Sequence, residues 1–323
     1  MPAARHPRRE AEALLGDGYD VRLLEPSPPA VVDEWFADDP AAVGAAVPGR
    51  RVVTPTSAGD LTWSDLAADD DRIAGFASRR WLGAYRRIGS PPPGFAEARA
   101  DLNLLAFYVM RPARERVNGK IGLRATADGF GTPFFGEDEQ VRVEGTELVH
   151  QRGDTVRSAP ITTYAAAAAF LDVEVNPDPG GLDVPPLGDA GRELRVEPEH
   201  VAYLADWYGF ATSVLEELRL DGADDDEMGR VQLWPEHFDP AVELGAVDSG
   251  RRASYGCSPG DPGHDEPYLY VAAWGDIDRS EPFWNGEGFN GAELPLAALL
   301  DADDQRAAAL AFFRRGLSVL LGR

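Results

Sequence analysis

Chemistry-bearing side chains concentrate between Gly229 and Trp274, in the stretch GRVQLWPEHFDPAVELGAVDSGRRASYGCSPGDPGHDEPYLYVAAW. Two of the five histidines, His237 and His264, lie there with the single cysteine, Cys257. The first acid–histidine cluster is Trp234-Pro235-Glu236-His237-Phe238-Asp239. Read as an extended strand, it points Trp234, Glu236 and Phe238 one way and Pro235, His237 and Asp239 the other. His237 and Asp239 would then share a face about 7 Å apart along the strand. That arrangement suits a general-base histidine oriented by a carboxylate, so His237, Asp239 and Glu236 are the catalytic candidates for a hydrolase-like enzyme. The same cluster supplies a ligand-binding set: Trp234, His237 and Asp239, joined by Phe134 and Tyr268. The competing reading is a core strand whose histidine is hydrogen-bonded and whose aspartate caps a turn before Pro240.

The second cluster, Asp261-Pro262-Gly263-His264-Asp265-Glu266, sits in a Pro/Gly loop. With His237 and Asp239, its His264 and Glu266 would make a nitrogen–oxygen ligand set suited to zinc or manganese. No H-E-x-x-H or paired C-x-x-C spacing supports a metal, and a solvated acidic loop is the alternative. No cofactor is otherwise called for. Cys257 has no adjoining basic residue to favour a thiolate, so it reads as a buried, inert thiol. Neither a phosphate-binding G-x-x-x-x-G-K-[ST] nor a G-x-S-x-G nucleophile elbow occurs. The aromatic–glycine loops Phe130–Phe135 and Phe283–Phe289 could form a flat surface for a sugar or a base, or could cover a core.

Elements must position these groups. Short strands are expected at Tyr19–Leu24, Arg51–Thr54 and Asp60–Trp63, the last as a hairpin arm, and a helix over Arg72–Arg87. Ala98, Leu102, Leu105, Val109, Ala113 and Val117 recur at helical spacing, which predicts a helix over Phe95–Val117, kinked or broken at Pro112. Strands follow at Lys120–Ala125, Gln140–Glu144 and Thr146–Gln151, with a tight turn at Gly145. Thr162 or Thr163 caps a short alanine-rich helix ending near Asp172. Residues Asn176–Pro198 read as a connector rather than a core element. Leu204, Trp207, Tyr208, Ala211, Leu215 and Leu218 form a helical stripe after Pro198. Strands are expected at Arg230–Trp234, Ala241–Leu244, Ala253–Cys257, Tyr268–Trp274 and Ala292–Leu296. A final helix runs over Ala302–Leu321, capped by Asp301 or Asp303.

The two stretches match in order. Each has a long helix, then Gly119-Lys120-Ile121-Gly122-Leu123 or Gly229-Arg230-Val231-Gln232-Leu233, then strands and a closing helix. The expected fold is α+β: a mainly antiparallel sheet packed by amphipathic helices, arranged as two pseudo-repeated halves. Residues 1–94 form an irregular leading segment, 95–180 the first half and 199–323 the second, together one globular unit.

Gly119–Leu123, Trp234–Asp239, Ser258-Pro259-Gly260 and Glu266-Pro267-Tyr268-Leu269-Tyr270 also resemble a bacterial domain family of unassigned function, over about residues 97 to 300. That family carries a Trp-Trp-His-like cluster after its first strand. This chain has Gly129-Phe130-Gly131-Thr132-Pro133-Phe134-Phe135 there. The resemblance implies an α+β fold and transfers no catalytic residue.

The net charge is −24, from 55 acids and 31 bases, which disfavours nucleic acid as a partner. Lys120 is the only lysine in a chain rich in Ala, Gly, Asp and Pro, a bias that fits a GC-rich bacterial genome, with a haloarchaeal source as the alternative. One cysteine allows no internal disulfide, and no apolar run has the length of a signal peptide or a membrane span, so a cytoplasmic location without a membrane partner is expected. The functional expectation is a small-molecule binding protein with its site between the halves; the alternative is the hydrolase-like enzyme.

Overall fold

The computed structural model describes residues 13–16, 19–21, 51–54, 61–62, 68–79, 87–126, 129–133, 135–136, 139–152, 155–178, 180, 182, 184–220, 229 and 231–322. Near the start, β1 (Tyr19–Val21), β2 (Arg51–Thr54) and β3 (Leu61–Thr62) pair in parallel. The Asp60–Trp63 arm therefore does not form a hairpin with β2. Helix α1 spans Asp71–Arg79, and residues 80–86 of the helix expected over Arg72–Arg87 lie outside the described residues. Its expected anchors Trp81 and Tyr85 lie outside the described residues.

Two five-stranded antiparallel meanders make up the body. In the first, β4 (Arg124–Thr126), β5 (Gly129–Gly131), β6 (Glu139–Glu144), β7 (Glu147–Arg152) and β8 (Thr155–Pro160) lie in chain order. In the second, β9 (Gln232–Trp234), β10 (Asp239–Leu244), β11 (Ala253–Ser258), β12 (Tyr268–Ala273) and β13 (Gly291–Pro295) do the same. A long helix precedes each meander: α2 (residues 95–118) the first and α4 (Pro198–Leu220) the second. A helix also closes each: α3 (Tyr164–Leu171) the first, and α5 (Leu296–Asp301) with α6 (Gln305–Leu321) the second. The expected α+β class and repeated order are both present. The sheets meet where the two matched pentapeptides end. Leu123 and Leu233 form an antiparallel bridge, each donating its N–H to the other's carbonyl at 2.8 and 2.9 Å. Equivalent residues of the two halves thus pair with each other, as they would across a local two-fold axis.

Pro112 does not break α2. A π-turn over Ala106–Met110 immediately precedes it, and the proline falls in the first turn of the following α segment, where a missing N–H costs least. The helix ends on Gly119, whose φ of 73° suits a residue without a Cβ. Strands β5 and β8 carry little sequence signal. Strand β5 is Gly-Phe-Gly, and a Cβ on Gly129 or Gly131 would lie 2.2 or 2.5 Å from backbone carbonyls of β6. Strand β8 is an edge strand with no fully buried side chain. The stripe on α4 is buried throughout, and this helix packs on β4 and β5 of one sheet and β10 and β11 of the other. The N-cap of α6 is Asp304, whose carboxylate accepts from Ala307 N at 2.9 Å, rather than Asp301 or Asp303. The connector before α4 contributes Val184, Leu187 and Val196 to the core, and Asp101 of α2 ties it down by accepting from Arg192 and from Arg195 N. No described helix is long and apolar enough to cross a membrane.

Candidate functional site

The segment Trp234–Asp239 is not a continuous strand. It is the turn of the β9–β10 hairpin, with Trp234 paired to Asp239 and Phe238 N donating to Trp234 O at 2.6 Å. Phe238 adopts a left-handed φ of 57°, which reverses the chain. Its ring is held in the core against Phe130 at 4.9 Å and Tyr208 at 5.6 Å, and Tyr208 Oη donates to its carbonyl at 2.8 Å. Asn103 of α2 donates to Pro235 O at 2.7 Å. Tertiary contacts from both halves therefore override the alternation that an extended reading assumes.

The turn separates the residues expected to work together. His237 is exposed on its tip, Glu236 is half-buried and Asp239 is buried. Among the described residues, no hydrogen bond joins His237 to either carboxylate, so His237 and Asp239 do not form the strand-face pair. Asp239 has a different partner, Tyr270, whose hydroxyl donates to Oδ2. Glycine makes this reach possible. Tyr270 pairs with Gly256 on β11, which pairs with Ala241 on β10, and a Cβ on Gly256 would meet the Tyr270 ring at 2.3 Å. The tyrosine thus lies across β11 to Asp239. Val271 and Tyr255 face the opposite way, against Gly316 and Phe313 of α6. Asp239, Gly256 and Tyr270 consequently share the sheet face turned away from α6.

Asp239 is 1% exposed, and its second oxygen, Oδ1, has no hydrogen-bond partner among the described residues. Among the described residues, Glu236 Oε2 and Gln232 Nε2 of the same hairpin are also buried with no hydrogen-bond partner, the Gln232 side chain lying against Gly122. Burial pushes the Asp239 carboxyl above the ordinary aspartate value; the nearby His237 ring, the Tyr270 hydroxyl and the residue's own backbone N–H oppose that shift without cancelling it. Glu236 is raised for the same reason, against its own backbone N–H and the nearby His237 and Arg111.

The second acid–histidine cluster forms a separate, well-bonded node. Asp261 and His264 exchange backbone hydrogen bonds, and His264 Nδ1 lies 3.2 Å from both Asp261 carboxylate oxygens. Tyr268 Oη donates to Asp261, its ring lies 4.4 Å from that of His264, and His264 Nε2 is 3.5 Å from Glu293. Burial would raise Asp261, but the Tyr268 hydroxyl, Gly263 N–H and His264 outweigh it and hold this carboxyl below the ordinary value. Arg99 of α2 supports the loop by donating to the carbonyls of His264 at 3.0 Å and Asp261 at 3.1 Å. Glu266 is exposed beyond this node. No group of three or more His, Cys, Asp and Glu that could hold a metal exists among the described residues, so His237, Asp239, His264 and Glu266 are not brought together as a ligand set. Phe134 lies outside the described residues. Cys257 is buried and its thiol is pushed well above its usual range, as expected of an inert cysteine.

Gly256 and Tyr270 determine the surroundings of Asp239 but escape a reading by residue chemistry. The signal for Tyr270 is the alternation Tyr268-Leu269-Tyr270, which puts both tyrosines on one face. Gly256 carries no signal until its cross-strand partner is known. No protein-family model, curated protein or solved structure matches the chain.

Proposed function

We propose that this protein binds a small molecule at the β9–β10 hairpin, where α2 of the first half meets the loops of the second. One observation carries the reading: Asp239 is buried, one carboxylate oxygen is engaged by Tyr270, and the other accepts no side-chain hydrogen bond among the described residues. A buried carboxylate oxygen left unpaired costs about 1–3 kcal/mol or more, and a ligand donor removes that cost. Trp234 is half-buried, is paired with Asp239 across the hairpin and offers apolar surface beside the carboxylate. Binding rather than catalysis is favoured because the exposed His237 is not oriented by either neighbouring carboxylate. The resemblance to the bacterial family of unassigned function is compatible with this role and adds no reaction to it.

The test is a thermal-shift screen of a broad metabolite library on the full chain and on Asp239→Asn. The expected result is a compound that raises the melting temperature of the parent and leaves the variant unmoved. Compounds that shift both proteins equally, with none dependent on Asp239, would remove the site.

A further inference from the structure

Two histidines are bonded in a way that a neutral ring satisfies. His150 Nε2 lies 2.8 Å from Glu139 Oε1, and its Nδ1 lies 2.7 Å from Arg157. A guanidinium only donates, so Nδ1 accepts and Nε2 carries the one proton. His200 accepts from Glu197 N at Nδ1, 3.3 Å away, and donates from Nε2 to Pro93 O at 2.9 Å. Each ring has one donor and one acceptor to answer, which is what neutral imidazole offers.

His264 is bonded differently. Its Nδ1 lies 3.2 Å from both carboxylate oxygens of Asp261, and its Nε2 lies 3.5 Å from Glu293 Oε2. Ionised carboxylates accept hydrogen bonds and donate none, so a proton on each ring nitrogen is needed to answer both. A neutral ring must turn a lone pair toward one of them. Three elements and the loop itself surround the ring. Tyr268 of β12 lies under it at 4.4 Å, and burial and Asp261 hold its hydroxyl above the ordinary tyrosine range, so it stays neutral. Glu293 comes from β13. Arg99 of α2 brings a positive charge, with its guanidinium donating to the carbonyls of His264 and Asp261. Asp265 and Glu266 are exposed on the loop. Asp261 sits below the ordinary aspartate value, so it remains ionised wherever a histidine titrates.

We infer that His264 is a pH-dependent latch: as the imidazolium it ties the β11–β12 loop, across Tyr268, to Glu293 on β13, and on losing a proton it releases that tie. The tie is complete at lower pH and is lost as pH rises through the histidine range, about 5 to 8. Arg99 and the bond from Tyr268 to Asp261 do not titrate there and keep the base of the loop in place, so the release is local. The latch stands independently of the binding role above.

The test is hydrogen exchange of residues 259–267 in the full chain at about pH 5.5 and about pH 8. Rates are expressed as protection factors, which removes the intrinsic pH dependence, and are referred to those of α4, which removes any change in global stability. Imidazole nitrogen NMR reads which ring atoms of His264 carry protons. Protection of the loop should fall about two- to fivefold at the higher pH, the range for a half-exposed ion pair, together with loss of one ring proton. In Glu293→Gln the new amide can donate to the unprotonated ring nitrogen, so protection should stay and its pH dependence should vanish. His264→Gln, which cannot titrate, should likewise show no difference between the two pH values. Equal protection of the parent at both pH values would overturn the latch, as would a fall that survives in either variant. A His264 ring that carries one proton throughout would overturn it as well.

Discussion

At the residue scale, two aspartates at one end of the second sheet have opposite effects on stability. Asp261 sits below the ordinary aspartate value, so its contribution is present above that value and is lost as pH falls through the folded one. Asp239 sits above it. Between the unfolded and folded values the native state holds the extra proton, so stability declines as pH rises through that window. Asp239→Asn removes this penalty. Urea denaturation at about pH 3.5 and about pH 8 should show the variant gaining on the parent at the higher pH. An equal difference at both pH values would mean that the buried charge carries no cost. A variant that becomes relatively more stable while losing ligand response is the pattern expected of a residue kept for function rather than for folding.

At the scale of elements, the hairpin turn and β11 set the geometry that side-chain identity alone leaves open. Phe238 in its left-handed conformation converts a presumed strand into a reversal, which exposes His237 and pairs Trp234 with Asp239. Gly256 then gives Tyr270 its path across β11. Gly256→Ala places a Cβ within 2.4 Å of three Tyr270 atoms, and these must move. We expect a stability loss of about 1–3 kcal/mol, typical of overpacking, together with a weakened Asp239-dependent ligand response. Thermal melts and titration of the same variant check both. An unchanged ligand response would mean that the contact between Tyr270 and Asp239 does not prepare the site.

At the scale of the whole molecule, the β9–β10 hairpin and its neighbouring loops are held from both halves. Arg99 and Asn103 of α2 hold loops of the second sheet, α4 packs on strands of both sheets, and Phe130, Tyr208 and Phe238 join β5, α4 and the hairpin turn. Arg99 is buried, and its guanidinium is committed to loop carbonyls. Arg99→Met keeps the apolar stem and removes these donors. The expected loss is about 1.5–3 kcal/mol, the range for hydrogen bonds to a charged group. Hydrogen exchange should show lower protection concentrated in residues 258–266; a uniform change across the chain would argue against a local anchor.

Periodicity determined much of this architecture before any coordinates. The stripe on α4 must be buried because its apolar residues recur every three or four positions, and the hairpin at Gly145 follows from β-prone runs flanking a glycine. The two matched pentapeptides marked where each meander begins, and their last residues, Leu123 and Leu233, pair with each other. Sequence also located the neighbourhood of the candidate site, since acids, histidines and aromatics rarely crowd without a role or a solvated loop to hold them. It did not determine which of them meet. Strand β5 was illegible because its glycines answer to carbonyls on β6, and Phe238 was misread because its backbone obeys a core assembled from both halves. Asp239 finds Tyr270, 31 residues away, only through the register of three strands. Register and turn reversal are long-range outcomes of packing, so the contact that singles out Asp239 was decided by the tertiary structure.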